Sequence, residues 1–381
     1  MTTNVRIDLH ILQTVPPANL NRDDQGNPKE AIYGGARRSR VSSQAWKRAT
    51  RMYFAGKVPT EDLGTRTRRV ASELAKRLRA RTEIDPDQAA RIGSALLAPV
   101  GISAGKKAGA TAYLLFVGNG QLDAVVDLVA DRAAELVVLD DAALAEEMKT
   151  LPVAEQFREN HPLDVALFGR MVADIPALNV DAAVQVAHAL STHATEAEFD
   201  YFTAVDDTNE DDDPGAGMIG SIGFNSATLY RYATIGLNQL HDNLGETDAV
   251  LDAVDIFVDS FARSMPTGYG NSFAHRTLPS LVAVVVREDQ PVNLVSAFEK
   301  PITASQGGIA ERSARALAAE QQRSVELWGD KPAYTAFAHA FDTDTETGPK
   351  LAAELAEAFG TSVTFPALRR GLRDQLQGYL A

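Results

Sequence analysis

Three stretches of the chain have the hydrophobic pattern of β-strands. From Asn4 to Ile11, apolar and polar residues alternate strictly, which is typical of a half-buried strand with one face toward a core. The stretch 226–237 also has the composition of a strand, and the continuous apolar run from Leu281 to Val286 predicts a central strand. Because these stretches lie far apart in the sequence, they predict a sheet assembled from distant parts of the chain.

The segment after the first strand predicts a loop and then an amphipathic helix. The prolines at 16–17 and the GNP sequence at 26–28 predict an extended loop, and Ser42 or Ser43 can cap a helix that continues to about Phe54. The helix would pack inward through its apolar residues, which are Ala45, Trp46, Ala49, Met52 and Tyr53. Its opposite stripe, at spacings of three and four residues, carries an amide and three cations: Gln44, Lys47, Arg48 and Arg51.

Helical patterns dominate two other regions. Residues from about 60 to 200 contain Ala-rich amphipathic stretches such as DAVVDLVADRAAELVVL, which predict a helical insertion, and the last third of the chain ends in similar patterns. Between Glu196 and Gly223, an aromatic AEFDYF is followed by six acids from Asp206 to Asp213 and then by a glycine-rich stretch. This composition predicts a long, mobile loop or hairpin. The pattern as a whole indicates an α+β fold with large insertions.

Composition narrows the class of protein. The 381 residues are 45% hydrophobic, enough for a substantial core, and contain no cysteine, which excludes disulfides and thiolate metal sites. No stretch has the length of a membrane span or the form of a signal peptide, so we expect a cytoplasmic protein. The formal net charge is −14, yet residues 19–54 carry eight Lys or Arg against three acids.

This basic segment is the strongest candidate for a binding site. Its cations lie among serines, a glutamine, a glycine pair and a helix start, all of which are suitable phosphate ligands; they are Lys29, Arg37, Arg38, Arg40, Lys47, Arg48 and Arg51. On these residues alone, a nucleic-acid site and an inert solvated face remain open alternatives. Likewise Tyr33, Tyr201 and Phe202 could stack on bases or belong to the core.

Other motifs fail on their context, and neither a metal nor a cofactor is predicted. GAGMIG at 215–220 matches the dinucleotide fingerprint but follows acids instead of a strand, and GISAGKK at 101–107 lacks the Ser or Thr of a phosphate loop. His188 and His193 are five residues apart, which misses the spacing of two ligands on one helical face. Asp23 and Asp24 could act as acid and base or bind a cation, but adjacent acids in a loop more often stabilise a turn.

The stretch NLNRDDQGNPKEAIYGGARRSRVSSQAWKRA resembles the amino-terminal signature of the CasC family, the repeated backbone subunit of type I-E CRISPR Cascade. Further matches follow in order along most of the chain: DVALFGRM at 164–171, VAHALSTH at 186–193, DYFTAVDD at 200–207, LYRYATIGLNQL at 229–240 and AFEKP at 297–301. The resemblance implies a palm related to the RNA-recognition fold (ferredoxin-like), a large helical fingers insertion and a protruding thumb. The boundaries that we expect are 1–58, 181–195 and 225–381 for the palm, 59–180 for the fingers and 196–224 for the thumb.

The resemblance also implies a function. Several copies would polymerise along one CRISPR RNA, whose bases then pair with target DNA, in contact with the other Cascade subunits. The residues implied to hold the RNA backbone are Lys29, Ser42, Gln44, Lys47, Arg48 and Arg51, and we add Arg22 and Arg40 of the same basic segment. Met171 and the stretch Tyr201, Phe202 and Thr203 would lie where a base is flipped out. Tyr269 and Asn271 belong to another RNA-facing loop, MPTGYGNS, in which family members often have Lys where Tyr269 stands.

Such a subunit needs no catalysis, because base pairing by the guide supplies specificity and the protein supplies a cradle for the backbone. We therefore expect a non-enzymatic protein. One alternative is a ribonuclease like the related backbone subunits of type III complexes, using Asp23, Asp24 or an acid of the stretch 206–213. Another is an acidic metabolic enzyme with an incidental basic face.

Overall fold

The computed structural model describes residues 4–102, 105, 107, 109–204, 218–304 and 308–380. The chain divides into two units. The first comprises Met1–Tyr53, Gln185–Leu237 and Val254–Ala381, and the second comprises Phe54–Val184 and Asn238–Ala253. The acidic run 206–213 and the first three residues of GAGMIG, 215–217, lie outside the described residues.

The strands within the described residues are β1 (Arg6–Ala18), β2 (Glu30–Tyr33), β3 (Ala36–Val41), β4 (Gly64–Thr67), β5 (Leu115–Gly118), β6 (Val184–Val186), β7 (Ala189–Ser191), β8 (Glu198–Ala204), β9 (Met218–Gly236), β10 (Leu281–Arg287) and β11 (Tyr334–His339). The α-helices are α1 (Ser43–Phe54), α2 (Val70–Arg81), α3 (Pro86–Ala95), α4 (Asn119–Asp127), α5 (Ala133–Leu136), α6 (Asp141–Lys149), α7 (Val153–Arg158), α8 (Leu163–Phe168), α9 (Leu237–Leu244), α10 (Thr247–Arg263), α11 (Gly270–Phe273), α12 (Gly308–Trp328), α13 (Gly348–Phe359) and α14 (Phe365–Leu380). Among these helices, none combines the length and hydropathy that crossing a bilayer requires.

The first unit is built on a sheet in the order β11-β10-β1-β9-β7-β3-β2, with β6 and β8 also paired to β9. β1 lies near its centre and pairs antiparallel with two strands, so that Leu9 is opposite Ala233 of β9 and Val284 of β10. The apolar run 281–286 is therefore a buried central strand, as its pattern predicts. The predicted α+β class is confirmed.

Helices cover both faces of this sheet, which overturns one prediction. The alternation in β1 predicts a strand with a solvated face, but Asp8 and His10 on that face are fully buried. They lie beneath α12 and α13, which pack on β1, β9 and β10 through residues such as Leu317 and Leu351. The polar face was misread because its side chains are satisfied by other protein groups instead of by water.

A network of hydrogen bonds accounts for these buried polar residues. The Asp8 carboxylate accepts hydrogen bonds from the Arg287 guanidinium, the Tyr232 hydroxyl and the Val292 amide, each at 2.8 to 2.9 Å. Burial raises the pKa of Asp8, and these partners offset part of that rise. His10 Nδ1 lies 2.9 Å from the Tyr230 hydroxyl, and its burial, with the Arg287 charge, lowers the His10 pKa to about 3.

The predicted loop after the first strand begins later than expected. β1 continues through Pro16 and Pro17 to Ala18, with a shift of register against β9 between Val15 and Ala18. Such an irregularity accommodates prolines, which cannot donate to a regular ladder. The chain then forms the β2–β3 hairpin, which the sequence interpretation missed. Gly34 and Gly35, with φ of 58° and 73°, make its turn.

The second unit is mainly helical, as the sequence predicts, with a core formed by α2 to α7. It also contains a strand pair that the periodicity did not reveal, in which Gly64 of β4 lies opposite Gly118 of β5. The Ala-rich stretch at 123–139 is not one helix, since α4 ends at Asp127 and α5 begins at Ala133. In the last third of the chain the predicted helices are α12 to α14, and β11 lies between the first two.

Candidate nucleic-acid interface

Helix α1 positions the predicted basic stripe. Ser42 caps it, because its hydroxyl accepts a hydrogen bond from the Ala45 amide at 3.3 Å. The helix packs inward through Trp46 and Thr50, which are fully buried. Met52 was expected to pack inward as well, but its side chain is 55% exposed. The packed side, which contains Trp46, Thr50 and Phe54, is rotated around the helix axis relative to the apolar stripe, and Met52 therefore lies with Arg48 on the open side.

The members of the basic stripe are not equally exposed. Gln44 and Arg48 are exposed, whereas Lys47 and Arg51 are partly buried on the flank of the helix. Both flanking cations have contacts with other protein groups. Arg48 is consequently the cation of the stripe that is best placed to meet a ligand.

Arg48 lines a groove within the first unit. The groove has a volume of about 1010 Å³ and is bounded by residues 20–26, by the open side of α1 and by residues 264–276. Its charged lining residues are three cations, Arg22, Arg48 and Arg276, and two acids, Asp23 and Asp24. Within the part of the chain that the structure describes, none of these three arginines forms an ion pair. Cations therefore outnumber acids in the lining of the groove by three to two, and the arginines are available to an anion.

An aromatic ring accompanies these cations. The Arg22 guanidinium lies 4.7 Å from the centroid of the Tyr269 ring, which is a cation–π arrangement. Tyr269 has a left-handed backbone, with φ of 48°, at the start of α11. Asn271 in that short helix is exposed. The structure thus brings together Arg22, Arg48 and Tyr269, which the sequence analysis assigned to RNA binding in two separate segments, and adds Arg276 and Met52, which no sequence pattern marked.

The loop that forms one wall of the groove is held by hydrogen bonds. The Asn19 side-chain amide donates to the carbonyls of Gly26 and Gly223, both at 2.9 Å. Asp23 accepts from the amides of Gln25 and Asn27, also at 2.9 Å. One carboxylate oxygen of Asp23 is thereby occupied in stabilising the turn.

Two cations that were expected to surround phosphates have structural roles instead. Arg38 is fully buried, and its guanidinium donates to the carbonyls of Ser191 at 2.9 Å and Phe298 at 2.7 Å. Arg37, its neighbour on β3, is exposed but pairs with Glu30 at 2.5 Å. The pleat of the strand directs alternate residues to opposite sides, so neighbouring arginines cannot share one surface. Ser42 is 5% exposed, and its hydroxyl is used by the helix cap.

Lys29 and Arg40 lie near the edge of the sheet, where the loop at residues 19–29 ends and β2 begins. The Lys29 carbonyl accepts a hydrogen bond from the Arg40 amide at 2.9 Å, which places the two residues side by side. The Arg40 guanidinium donates to the Glu30 carbonyl at 3.1 Å and lies 3.2 Å from His188 Nδ1. Burial, followed by the charges of Arg40 and Lys29, lowers the pKa of His188.

The predicted thumb residues form the stem of a hairpin. β8 and β9 pair antiparallel, with Tyr201 opposite Ser221 and Phe202 opposite Gly220. Tyr201 is 66% exposed, and Thr203 is exposed as well. The Phe202 ring covers Gly220 so closely that a Cβ there would lie 2.4 Å from it. Since residues alternate across a strand, Tyr201 and Phe202 face opposite sides of the hairpin and cannot act at one point.

Met171 lies in the second unit and is 84% exposed. The preceding residue fixes its position, because the buried Arg170 guanidinium donates to the carbonyls of Leu178 and Phe157, both at 2.6 Å. Burial lowers the pKa of Arg170 to about 10. An exposed methionine held by a buried cation is suited to contact with a partner rather than to core packing.

The described residues contain no group of three or more His, Asp or Glu side chains that could hold a metal ion. What the first unit does offer is a preformed groove with arginines and an aromatic ring, followed by a second basic cluster across the loop. Such groups can bind phosphates and stack on bases.

Comparison with known proteins identifies the family. No curated protein sequence matches the chain. A chain of a solved "CRISPR RNA-guided surveillance complex, pre-nicking" is 34% identical with a TM-score of 0.82, and the match covers 97% of this chain and 99% of that one. A chain of another solved "CRISPR RNA-guided surveillance complex" is 29% identical with a TM-score of 0.70, with the same coverage. The family profile described as CT1975-like protein matches residues 7–362, and the chain therefore belongs to the CT1975-like protein family.

Proposed function

We propose that this chain is the repeated backbone subunit, of the CasC kind, of a cytoplasmic type I-E CRISPR Cascade complex. In this role it binds CRISPR RNA without sequence preference and carries out no chemistry. Its partners are the guide RNA, further copies of the chain, the other Cascade subunits and, through pairing with the guide, target DNA. The similarity to chains of CRISPR RNA-guided surveillance complexes over 97% of the sequence supports this proposal.

The observation that carries the proposal is the groove formed by residues 20–26, α1 and residues 264–276. A chain with a net charge of −14 places Arg22, Arg48 and Arg276 together there without ion pairs among the described residues. These three arginines outnumber Asp23 and Asp24, the two acids that line the same groove, so the excess positive charge attracts an anion. A polyanionic backbone is the ligand that such a groove fits, and no array of base-reading groups is needed when the guide supplies the sequence.

Within this proposal, the sheet unit corresponds to the palm and the helical unit to the fingers. The β8–β9 hairpin corresponds to the stem of the thumb. The domain limits predicted from the sequence differ from the two units, since Asn238–Ala253 belongs to the second unit. Tyr201, Phe202, Thr203 and Met171 remain candidates for contacts where a base is flipped out. The described contacts of Asp23 give no support to the ribonuclease alternative, because one of its carboxylate oxygens stabilises a turn.

A charge-reversal experiment tests the proposal. Arg22→Glu with Arg48→Glu should weaken the binding of single-stranded RNA equally for unrelated sequences, because the contacts are to phosphates. It should also reduce the slope of log affinity against log salt by about 0.7 for each phosphate contact that is lost. Binding is measured by fluorescence anisotropy over a range of salt concentrations.

A matched control makes the result specific. Arg370 is exposed on α14 in the same unit, and Arg370→Glu changes the charge in the same sense without altering the groove. This control should bind like the unaltered protein. An altered sequence preference at an unchanged salt slope, or equal losses in the groove variant and the control, would contradict the proposal.

A further inference from the structure

Three basic residues from neighbouring backbone segments converge at the edge of the sheet. Lys29 precedes β2, Arg40 lies in β3 and His188 immediately precedes β7. The strand register fixes this convergence, because Arg40 is opposite Leu190 and Val41 is opposite Ala189 in the β3–β7 pairing. Arg40 therefore has Lys29 on one side and His188 on the other.

The hydrogen bond between Arg40 and His188 determines where the imidazole carries its proton. A guanidinium can only donate, so His188 Nδ1, 3.2 Å from Arg40 Nη1, must be the acceptor. In the neutral ring the hydrogen is consequently on Nε2. The His188 side chain is exposed, which leaves this N–H able to donate to a ligand.

The charges around His188 are of one sign. Arg40 and Lys29 both act on it, and no acid among the described residues does. The nearest carboxylate along the strand, Glu30, pairs with Arg37. The cluster thus presents two cations and one neutral N–H donor, a combination that fits a phosphate group.

We propose that His188, Lys29 and Arg40 form a second phosphate-binding subsite for RNA, and that His188 takes up a proton when the phosphate binds. This inference rests on the proposed RNA-binding function. The subsite lies beside the groove, since Asn21 lines that groove and its carbonyl accepts the Lys29 amide at 2.8 Å. One RNA strand can therefore place successive phosphates on the two sides of the loop at residues 19–29.

Proton uptake follows from the change in charge. Without a ligand, burial and two cations keep the pKa of His188 below its ordinary value, so the ring is neutral near pH 7. A bound phosphate adds negative charge beside the ring and raises this pKa. Because the complex then binds more protons than the free protein, affinity for RNA must increase as the pH falls toward 6. The proton enters at Nδ1, which breaks the bond from Arg40 Nη1 and frees that N–H for the phosphate.

Two substitutions at His188 separate the contact from the proton uptake. His188→Ala removes both, and near pH 8 it should weaken RNA binding about tenfold, as expected for a lost hydrogen bond to a charged group. His188→Gln keeps an N–H donor that cannot titrate. It should bind within about threefold of the unaltered protein near pH 8 but show a smaller gain in affinity near pH 6.

Affinity is measured on the full chain with two unrelated single-stranded RNAs at both pH values, together with the Arg22→Glu, Arg48→Glu groove variant. His241→Gln, a histidine of α9 in the second unit, controls for the loss of a histidine as such and should keep the pH dependence. If His188 had a purely structural role, His188→Gln would not restore RNA affinity near pH 8 and at the same time reduce the gain in affinity near pH 6.

The outcomes distinguish this inference from the proposed function. If His188→Ala binds like the unaltered protein while the groove variant has lost binding, the subsite is wrong and the proposed function stands. If His188→Ala is weakened but His188→Gln keeps the full pH response, the proton uptake is wrong. If the unaltered protein binds neither RNA, the proposed function fails and the subsite fails with it.

Discussion

At the scale of single residues, two groups of arginines differ in burial. Arg38, Arg231 and Arg287 are buried to 2% exposure or less, and each is bound by carbonyl or carboxylate oxygens. Arg231 also lies between aromatic rings, 3.7 Å from the Trp46 ring centroid, and burial lowers its pKa to about 9. Arg48 belongs to the other group, exposed and without an ion pair among the described residues. The first group holds the sheet to its helices, and the second is available to a ligand.

The buried His10 gives a prediction about pH and stability. Its folded-state pKa of about 3 lies below the ordinary value of 6.5, so the unfolded chain binds a proton that the folded protein refuses. Stability should therefore fall as the pH falls from 6.5 toward 3. Between about pH 7.5 and pH 5, the free energy of unfolding should decrease by about 2 kcal/mol more than in His10→Gln.

Chemical denaturation of both proteins at the two pH values measures this difference. Comparing the two proteins cancels the contributions of other groups, including Asp8, whose raised pKa acts in the opposite direction. If the free energy of unfolding fell by the same amount in both proteins between the two pH values, His10 would be protonated in the folded protein at pH 5.

At the scale of elements, the β8–β9 hairpin presents two different surfaces. Tyr201 and Phe199 lie on one side and are 66% and 65% exposed, while Phe202 lies on the other over Gly220. A strand with large exposed aromatic residues on both sides is poorly stabilised by its own unit and is suited to contact with partners. We expect only one of the two sides to meet the flipped base.

Substitutions of Met171, in the second unit, and Phe202, in the first, test the proposed role of these side chains in assembly. Met171→Ala should change stability by no more than about 0.5 kcal/mol, because the side chain is exposed. Phe202→Ala should lower the free energy of unfolding by less than the loss of about 3–5 kcal/mol that is typical when a buried phenylalanine is replaced by alanine. Both should nevertheless impair assembly on guide RNA or pairing with the target strand, and Val138→Ala, also highly exposed, should not. A large loss of stability in the free subunit would assign the side chain to the core instead.

At the scale of the whole molecule, charge is distributed unevenly. A net charge of −14 makes free copies of the protein repel one another, while the arginines of the groove attract a polyanion locally. This distribution suits a subunit that should assemble on RNA and not with itself alone. The proposed subunit should be purified with bound nucleic acid, whereas an acidic metabolic enzyme would be purified free of it. The ratio of absorbance at 260 and 280 nm of freshly purified protein distinguishes the two.

We further predict that the protein does not cut RNA. In the proposed role the subunit only holds the RNA backbone, which needs no chemistry, and one carboxylate oxygen of Asp23 stabilises a turn. Purified protein with Mg²⁺ or Mn²⁺ should therefore leave guide RNA and complementary RNA intact over hours, as followed on denaturing gels. Cleavage that disappears in Asp23→Ala or Asp206→Ala would establish the ribonuclease alternative.

The sequence by itself determined the elements whose patterns are local. Helix α1 begins at its serine cap and ends at Phe54 as predicted, and the apolar run at 281–286 is a buried strand. The hydrophobic periodicity of a helix or strand depends only on neighbouring residues, so it survives in any tertiary context. The stretches that carry the family resemblance, which are spread over most of the chain, were likewise recognisable from the sequence alone.

Only the tertiary structure decided which polar residues are buried and which charges meet. Nothing in the sequence distinguishes Arg38, fully buried on carbonyls, from Arg40, which reaches His188 at the sheet edge. Arg276 joins the groove from more than two hundred residues away, and the Asp8 face of β1 is buried because α12 and α13 cover it. These outcomes depend on contacts between segments that are distant in the sequence. Such contacts decide which side chains are buried and which charged groups meet, and a local sequence pattern does not encode them.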